Sequence, residues 1–185
     1  MKRLLSLLLV SIILISSIGY SRDVEAASVK KVTTTVQDKN YTDAPKLKKG
    51  TNEITIKKQN SFVKFKAPST RTYTFTAKGL VNSANKQNYA SGFVLFYKET
   101  GQPGYKYLKE TKVKTKGGKS RMLCIANKYF LRFWDNEAEC DKKVDYYYAS
   151  RTATVKLNKG ETIYIQSSFS GAGMKNKAKY TLIVN

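Results

Sequence analysis

The chain has 185 residues, with 34 Lys or Arg against 13 Asp or Glu, a formal net charge of +21 and no histidine. The missing histidine excludes Ser-His-Asp and Cys-His catalysis, His-ligated zinc and the HExxH helix. A charge this far from zero draws a protein to polyanions and makes its copies repel one another.

At the N-terminus, Lys2 and Arg3 precede an apolar run, Leu4 to Ile18, broken only by serines, and Val24-Glu25-Ala26 offers a small-residue cleavage site. That order describes a secretory signal peptide over residues 1–26. The run is shorter than the ~20 residues a spanning helix needs, so no membrane span is expected. Cleavage would remove three bases (Lys2, Arg3, Arg22) and two acids (Asp23, Glu25) and leave a net charge of +20. Only Arg71, Arg121, Arg132 and Arg151 would remain among the bases as arginines. Arginine forks read bases, whereas lysine acts as a hydrated point charge. Sequence-specific nucleic-acid recognition is therefore not expected, and the expected partner is an extracellular polymer or cell-wall polyanion. Lysines on outward strand faces also guard sheet edges against aggregation, a structural role that competes with binding.

In chain order, residues 27–46 read as an N-terminal lead-in, with Val29–Val36 as a first strand or extended segment. Residues 47–185 read as one domain. Glu53–Lys57 (EITIK) alternates with Ile54 and Ile56 inward, and Ser61–Leu80 reads as two strands around Pro68-Ser69-Thr70. Val63, Phe65 and Ala67, then Tyr73, Phe75 and Ala77, share one face each, which describes an antiparallel pair with one dry face. Gly92–Lys98 (GFVLFYK) is almost continuously apolar, as in a strand covered on both faces or one using its second face for contacts. Gly101–Gly104 (GQPG) is a turn returning Tyr105–Val113 as a hairpin partner, and Gly117-Gly118 is another break. Ser120–Asp145 reads as strand, loop, strand. Tyr146–Leu157, Glu161–Ser167 and Ala178–Val184 complete eight or nine strands. No helical stripe stands out. The fold class expected is all-β, an antiparallel two-sheet β-sandwich, jelly-roll-like.

The C-terminal stretch Leu157–Gln166 (LNKGETIYIQ), followed by Lys179–Val184 (KYTLIV), resembles the end of the bacterial pre-peptidase C-terminal domain, a secreted β-sandwich. The FVKFKAPSTRTYTFTA segment resembles that family's early strand pair. The likeness covers roughly Leu47–Asn185, and the segment Ser120–Asp145 departs from the pattern. It implies a secreted accessory module of the kind found beside proteases or glycan-degrading enzymes, some of which bind collagen, polysaccharide or calcium, and it transfers no binding residues.

Several constellations carry candidate chemistry. Cys124 and Cys140 are the only cysteines, and in an exported chain one disulfide between them is expected, worth about 3 kcal/mol in the chain-entropy account. Asp135, Glu137, Glu139 and Asp141, with Asp145, form an acidic run that would offer oxygens to calcium; the glycine of an EF-hand loop is absent, which favours a solvated acidic patch. Glu99 and Glu110 flank the GQPG turn among lysines, a rim position rather than a glycosidase pair. Trp134, Tyr147, Tyr97, Tyr105 and Tyr107 are the candidate ligand-binding aromatics, since neighbours on a strand face opposite ways and Tyr146-Tyr147-Tyr148 cannot all be buried. Core packing is the competing role for each. Together these features point to a non-catalytic secreted module binding a polysaccharide or anionic polymer, without cofactor. A protein-interaction or accessory subunit of a secreted enzyme is the alternative, and a small secreted hydrolase stands behind both.

Overall fold

The computed structural model describes residues 28–116, 118–136, 147–174 and 177–185, with the side chains of 133–136 outside that description. The described chain is all-β apart from one 3-10 segment, Asp38–Asp43, and one α-helix. Its strands are β1 (Lys30–Thr34), β2 (Gly50–Ile56), β3 (Ser61–Lys66), β4 (Arg71–Asn82), β5 (Ala90–Gln102) and β6 (Tyr105–Glu110). Then follow β7 (Val113–Thr115), β8 (Gly118–Ser120), β9 (Met122–Ala126), the helix α1 (Lys128–Asn136), β10 (Ser150–Leu157), β11 (Thr162–Gly171) and β12 (Ala178–Val184). One sheet has seven strands in the order β1-β2-β12-β4-β10-β7-β8. The other runs β3-β11-β5, with β6 and β9 both paired to β5 along successive stretches.

The period-2 pattern sets which side of each strand is dry. Val63 and Phe65 of β3, Val94 and Phe96 of β5, and Ile163 and Ile165 of β11 face Tyr73, Phe75 and Ala77 of β4 and Leu182 of β12 in one continuous core. Phe75 sits at its centre, fully buried, with its ring edge-on to Phe65 at 5.8 Å and to Phe96 at 5.5 Å. Burying a side chain of this kind contributes about 1.5–3 kcal/mol. Gly92 fits where β5 runs beside β11 opposite Phe169, because a Cβ there would stand 2.2 Å from the carbonyl oxygen of Ser168.

Three expectations are corrected. The strands of Ser61–Leu80 exist, but they are not an antiparallel pair: β3 bonds to β11, while β4 bonds to β10 and β12 in the other sheet. Residues 67–70 form an arch between the sheets, held by the Tyr73 hydroxyl donating to the Ser69 carbonyl at 2.8 Å. A dry face per strand is satisfied equally by a hydrogen-bonded neighbour and by a partner across the core, and here the second applies. The sheets are also not purely antiparallel, since β1 runs parallel to β2. Parallel neighbours need a crossover. Here it passes over the edge of β3, where Phe62 N–H donates to the Val36 carbonyl at 2.8 Å and Lys64 N–H to the Pro45 carbonyl at 2.9 Å. The lead-in is thereby part of the sheet and covers the edge of β3. Finally, Tyr129–Trp134 belongs to α1 rather than to a strand, because Asn127 accepts from the Phe130 N–H at 3.0 Å as an N-cap.

Candidate functional site

The seven-stranded sheet turns a threonine and lysine face outward. On β4, Thr72, Thr74, Thr76 and Lys78 alternate with the buried Tyr73, Phe75 and Ala77. Cross-strand register then sets Thr152 beside Thr76, Thr154 beside Thr74 and Lys156 beside Thr72. The Thr76 and Thr152 hydroxyls meet at 2.9 Å. Lys114 lies opposite Thr154, and Lys119 opposite Lys114, so lysines close one end of the threonine field. Lys31 and Lys179 stand towards the other end, where Glu53 is the side-chain carboxylate of this face among the described residues. The ion pairs of the described residues, Lys98 with Glu161, Lys106 with Glu99 and Arg121 with Glu110, are not on this face.

At its β7–β10 end the face deepens into a groove of 720 Å³. Lys114, Lys116, Arg151, Tyr148, Thr152 and Thr154 are among its lining residues, and no carboxylate is. β7 pairs with β10 only at Ala153 and Thr154, so the first residues of β10 border the groove instead of a β7 residue. The Arg151 guanidinium lies 5.2 Å from the centre of the Tyr148 ring, which is 47% exposed. Ammonium charges with hydroxyl donors between them suit carboxylate or phosphate groups repeated along an extended chain.

The outward face of the smaller sheet is chemically different. Phe62 of β3 and Tyr164 of β11 are buried there under Tyr41 of the 3-10 segment, with Tyr97 and Leu108 packed alongside. Beside them is a second groove, of 640 Å³, bordered by Asp38, Leu95, Tyr97, Lys106, Leu108 and Gln166, among others. The Tyr97 hydroxyl donates to Gln166 Oε1 at 3.1 Å, and Gln166 Nε2 donates to Asp38 Oδ1 at 3.1 Å. Tyr41 donates to Glu99 Oε1 at 3.1 Å, while Glu99 Oε2 holds Lys106 at 2.9 Å. Burial first, then the carboxylates of Glu99, Glu110 and Asp38, push the Tyr41, Tyr97 and Tyr164 phenols above their ordinary value.

The candidate aromatics therefore do not form one site. Tyr97 lines the aromatic groove, and Tyr107 borders it. Tyr105, 74% exposed, stacks near Tyr107 with ring centres 6.1 Å apart at the end of the β5–β6 ribbon. Tyr147 packs edge-on to Phe130 of α1 at 5.1 Å, at the far end of the smaller sheet. Trp134 falls in α1 with its side chain outside the description. Glu99 and Glu110 share a face of the ribbon, each beside a cation. The residues that reading strand by strand missed are those of the basic groove. Their signal was present in the alternation of VKTK (Val113–Lys116) and RTATVK (Arg151–Lys156), but only the register of β7 on β10 brings the two runs together.

The expected disulfide is corrected to this extent: no disulfide is found among the described residues, where Cys124 stands buried on β9, and Cys140 lies outside them. Its place on the sheet explains the burial, since β9 pairs with β5 and the backbone of Tyr148 bonds along its other side. Of the acidic run, Asp135 lies in α1 with its side chain outside the description, and Glu137, Glu139, Asp141 and Asp145 lie outside the described residues. Among the described residues no group of three or more His, Cys, Asp or Glu is placed to hold a metal ion. No helix among them is long and apolar enough to cross a membrane.

No protein-family model matches the chain, and no curated protein matches it. Among solved structures, it is similar to CorA, a surface-associated copper-binding protein of Methylomicrobium album BG8, at 9% identity and a TM-score of 0.42 over 83% of this chain and 98% of that one. A likeness that loose transfers neither fold nor function.

Proposed function

We propose that the chain is a secreted, non-catalytic module that holds an anionic extracellular polymer, such as a cell-wall or matrix polyanion, against the outward face of the seven-stranded sheet. In this reading residues 1–26 are the export signal and the two sheets are a jelly-roll-like scaffold. The observation that carries it is the basic groove: Lys114, Lys116 and Arg151 around Tyr148, with threonine hydroxyls between and no carboxylate in the lining. Thr152 and Thr154 of the lining lie beside Thr76 and Thr74 of β4, so the groove opens onto the threonine field. Retention of the purified chain on immobilised polyphosphate, compared with neutral dextran, tests it. Retention on polyphosphate alone, lost at high salt, is the expected result, because exposed charges are screened within a Debye length of about 8 Å at physiological salt. Retention unchanged at high salt, or equal on dextran, overturns it.

A second reading, an accessory subunit bound to another protein, is favoured by one feature. The groove on the smaller sheet is lined by an aromatic and aliphatic strip, Phe62, Phe93, Leu95, Tyr97 and Leu108, flanked by Asp38, Lys106 and Gln166, and it lies away from the lysine face.

A further inference from the structure

The smaller sheet ends in a ribbon. β11 covers β5 only as far as Lys98, so residues 99–102 of β5 are paired with β6 alone. The ribbon turns at Pro103-Gly104, and at its other end Thr111 N–H donates to the Phe96 carbonyl at 2.7 Å. That bond fixes the ladder phase. Phe96 with Thr111, Lys98 with Lys109, Thr100 with Tyr107 and Gln102 with Tyr105 are the hydrogen-bonded pairs, because such pairs alternate with non-bonded ones in an antiparallel ladder. The N–H and C=O groups of Lys106, Leu108 and Glu110 therefore point away from β5. Among the described residues no strand takes them up.

An open edge is normally blunted by like charges. β1 follows that rule with Lys30 and Lys31 and no acid, and the edge of β3 is covered by the lead-in. β8 has only three residues. β6, YKYLKE, differs by carrying Lys106 and Glu110 at positions that share a side of the strand. Glu110 also has an unsatisfied group: its Oε1 is shielded from solvent with no hydrogen-bond partner, and the nearest cation, Arg121, is 3.9 Å away.

We infer that β6 pairs with β6 of a second copy of this chain, antiparallel about a dyad at Leu108. The ladder phase allows only registers that match outward-pointing residues with one another. Centring on Leu108 sets Lys106 opposite Glu110 twice, by symmetry, and Tyr107 opposite Lys109. Centring one residue earlier sets Lys106 opposite Leu108 and leaves Glu110 beyond the last paired strand residue. Charge complementarity thus selects the first register, and it offers a cation to the shielded oxygen of Glu110. Because Lys106 and Leu108 border the aromatic groove, the grooves of the two copies would adjoin across the dyad.

Sedimentation equilibrium of the purified chain over a range of concentration tests this. A monomer–dimer equilibrium that strengthens with salt is expected, since two strongly basic copies repel. Lys106→Glu and Glu110→Lys each set like charges opposite and should lower the association constant about tenfold, while the double exchange restores it. Hydrogen exchange provides a readout independent of these variants: the amides of Lys106, Leu108 and Glu110 should gain protection with concentration, and those of Tyr107 and Lys109 should not. A monomer at every concentration overturns the inference. So does a dimer indifferent to both single exchanges, which would sit on another surface. Failure here leaves polymer binding by the opposite sheet untouched.

Discussion

The lysine face makes a prediction that separates a site from mere net charge. Replacing Lys78, Lys114, Lys119 and Lys156 with Ser removes four exposed ammonium groups from the outward face of the seven-stranded sheet. A unit charge pair about 4 Å apart in water is worth about 1 kcal/mol. Four such contacts amount to about 4 kcal/mol at low salt, roughly a thousandfold in affinity at about 1.4 kcal/mol per decade. Each contact also contributes about 0.7–0.9 to the slope of log affinity against log salt, so the slope should fall by about 3. The matched control replaces Lys39, Lys58, Lys66 and Lys86, which are also exposed and lie off that sheet and off β6. Both variants lose the same charge, and exposed substitutions of this kind move stability by about 0.5 kcal/mol or less each. Titration of both with fluorescent polyphosphate, across a series of salt concentrations, reads affinity and slope together. The reasoning fails if the two variants lose affinity equally, because then long-range charge rather than the face attracts the polymer.

Three further outcomes follow from the interior and its turns. Burial opposes ionisation of Glu161, but Lys98 at 2.5 Å and the Asn158 N–H at 2.8 Å outweigh it and hold the carboxyl below its ordinary value. Its contribution to stability is thus complete above the unfolded carboxyl value of about 4.3 and lost as pH falls through the lower folded value. Glu161→Gln should flatten that acid limb in urea melts by less than about 1 kcal/mol, since both partners are partly exposed; an identical limb would refute the pairing. Ser167→Ala strands the buried Tyr180 hydroxyl, now 2.7 Å from Ser167 Oγ, and should cost about 1–3 kcal/mol, whereas adding Tyr180→Phe should recover part of the loss in a double-mutant cycle. Asn127→Ala removes the cap of α1 and orphans the Ala90 N–H that Asn127 Oδ1 accepts at 3.1 Å, for about 2–4 kcal/mol by chemical denaturation. Asn127→Asp keeps the acceptor and should cost less.

What could be read from the chain follows the range of each signal. Alternation is local, so nearly every strand with a dry face was visible, and the GQPG turn forced β5 and β6 together because a two-residue loop leaves no other neighbour. Pairing is not local. Residues 61–80 look the same whether Phe65 and Tyr73 lie side by side in one sheet or, as they do, edge-on across the core with centres 5.0 Å apart. α1 was hidden because apolar residues in Tyr129–Trp134 fit either period over so short a run, and the deciding residue, Asn127, also belongs to the preceding buried network with Asn88 and Ala90. The charge of the chain raised the expectation of an anionic partner, but not where it would bind. The groove exists only once β7 and β10, some forty residues apart in sequence, are adjacent.

If the polymer-binding proposal and the β6 pairing both hold, the two faces are coupled through charge even though they lie on opposite sheets. Binding a polyanion neutralises lysines on the seven-stranded sheet, and neutralisation lowers the repulsion between two copies approaching through β6. Linkage then requires the reverse effect in equal measure: pairing through β6 must raise affinity for the polymer by the same factor by which polymer raises pairing. Paired copies also present two lysine faces to one long chain, so the second engagement becomes intramolecular wherever the chain can span both. Salt acts on the steps in opposite directions, weakening each face's hold while easing the approach of the copies. Retention on a long polymer should therefore persist to higher salt than retention on a fragment too short to reach both faces, with a steeper slope of log affinity against log salt because both faces contribute contacts, a difference that neither the lysine face nor the β6 edge produces alone.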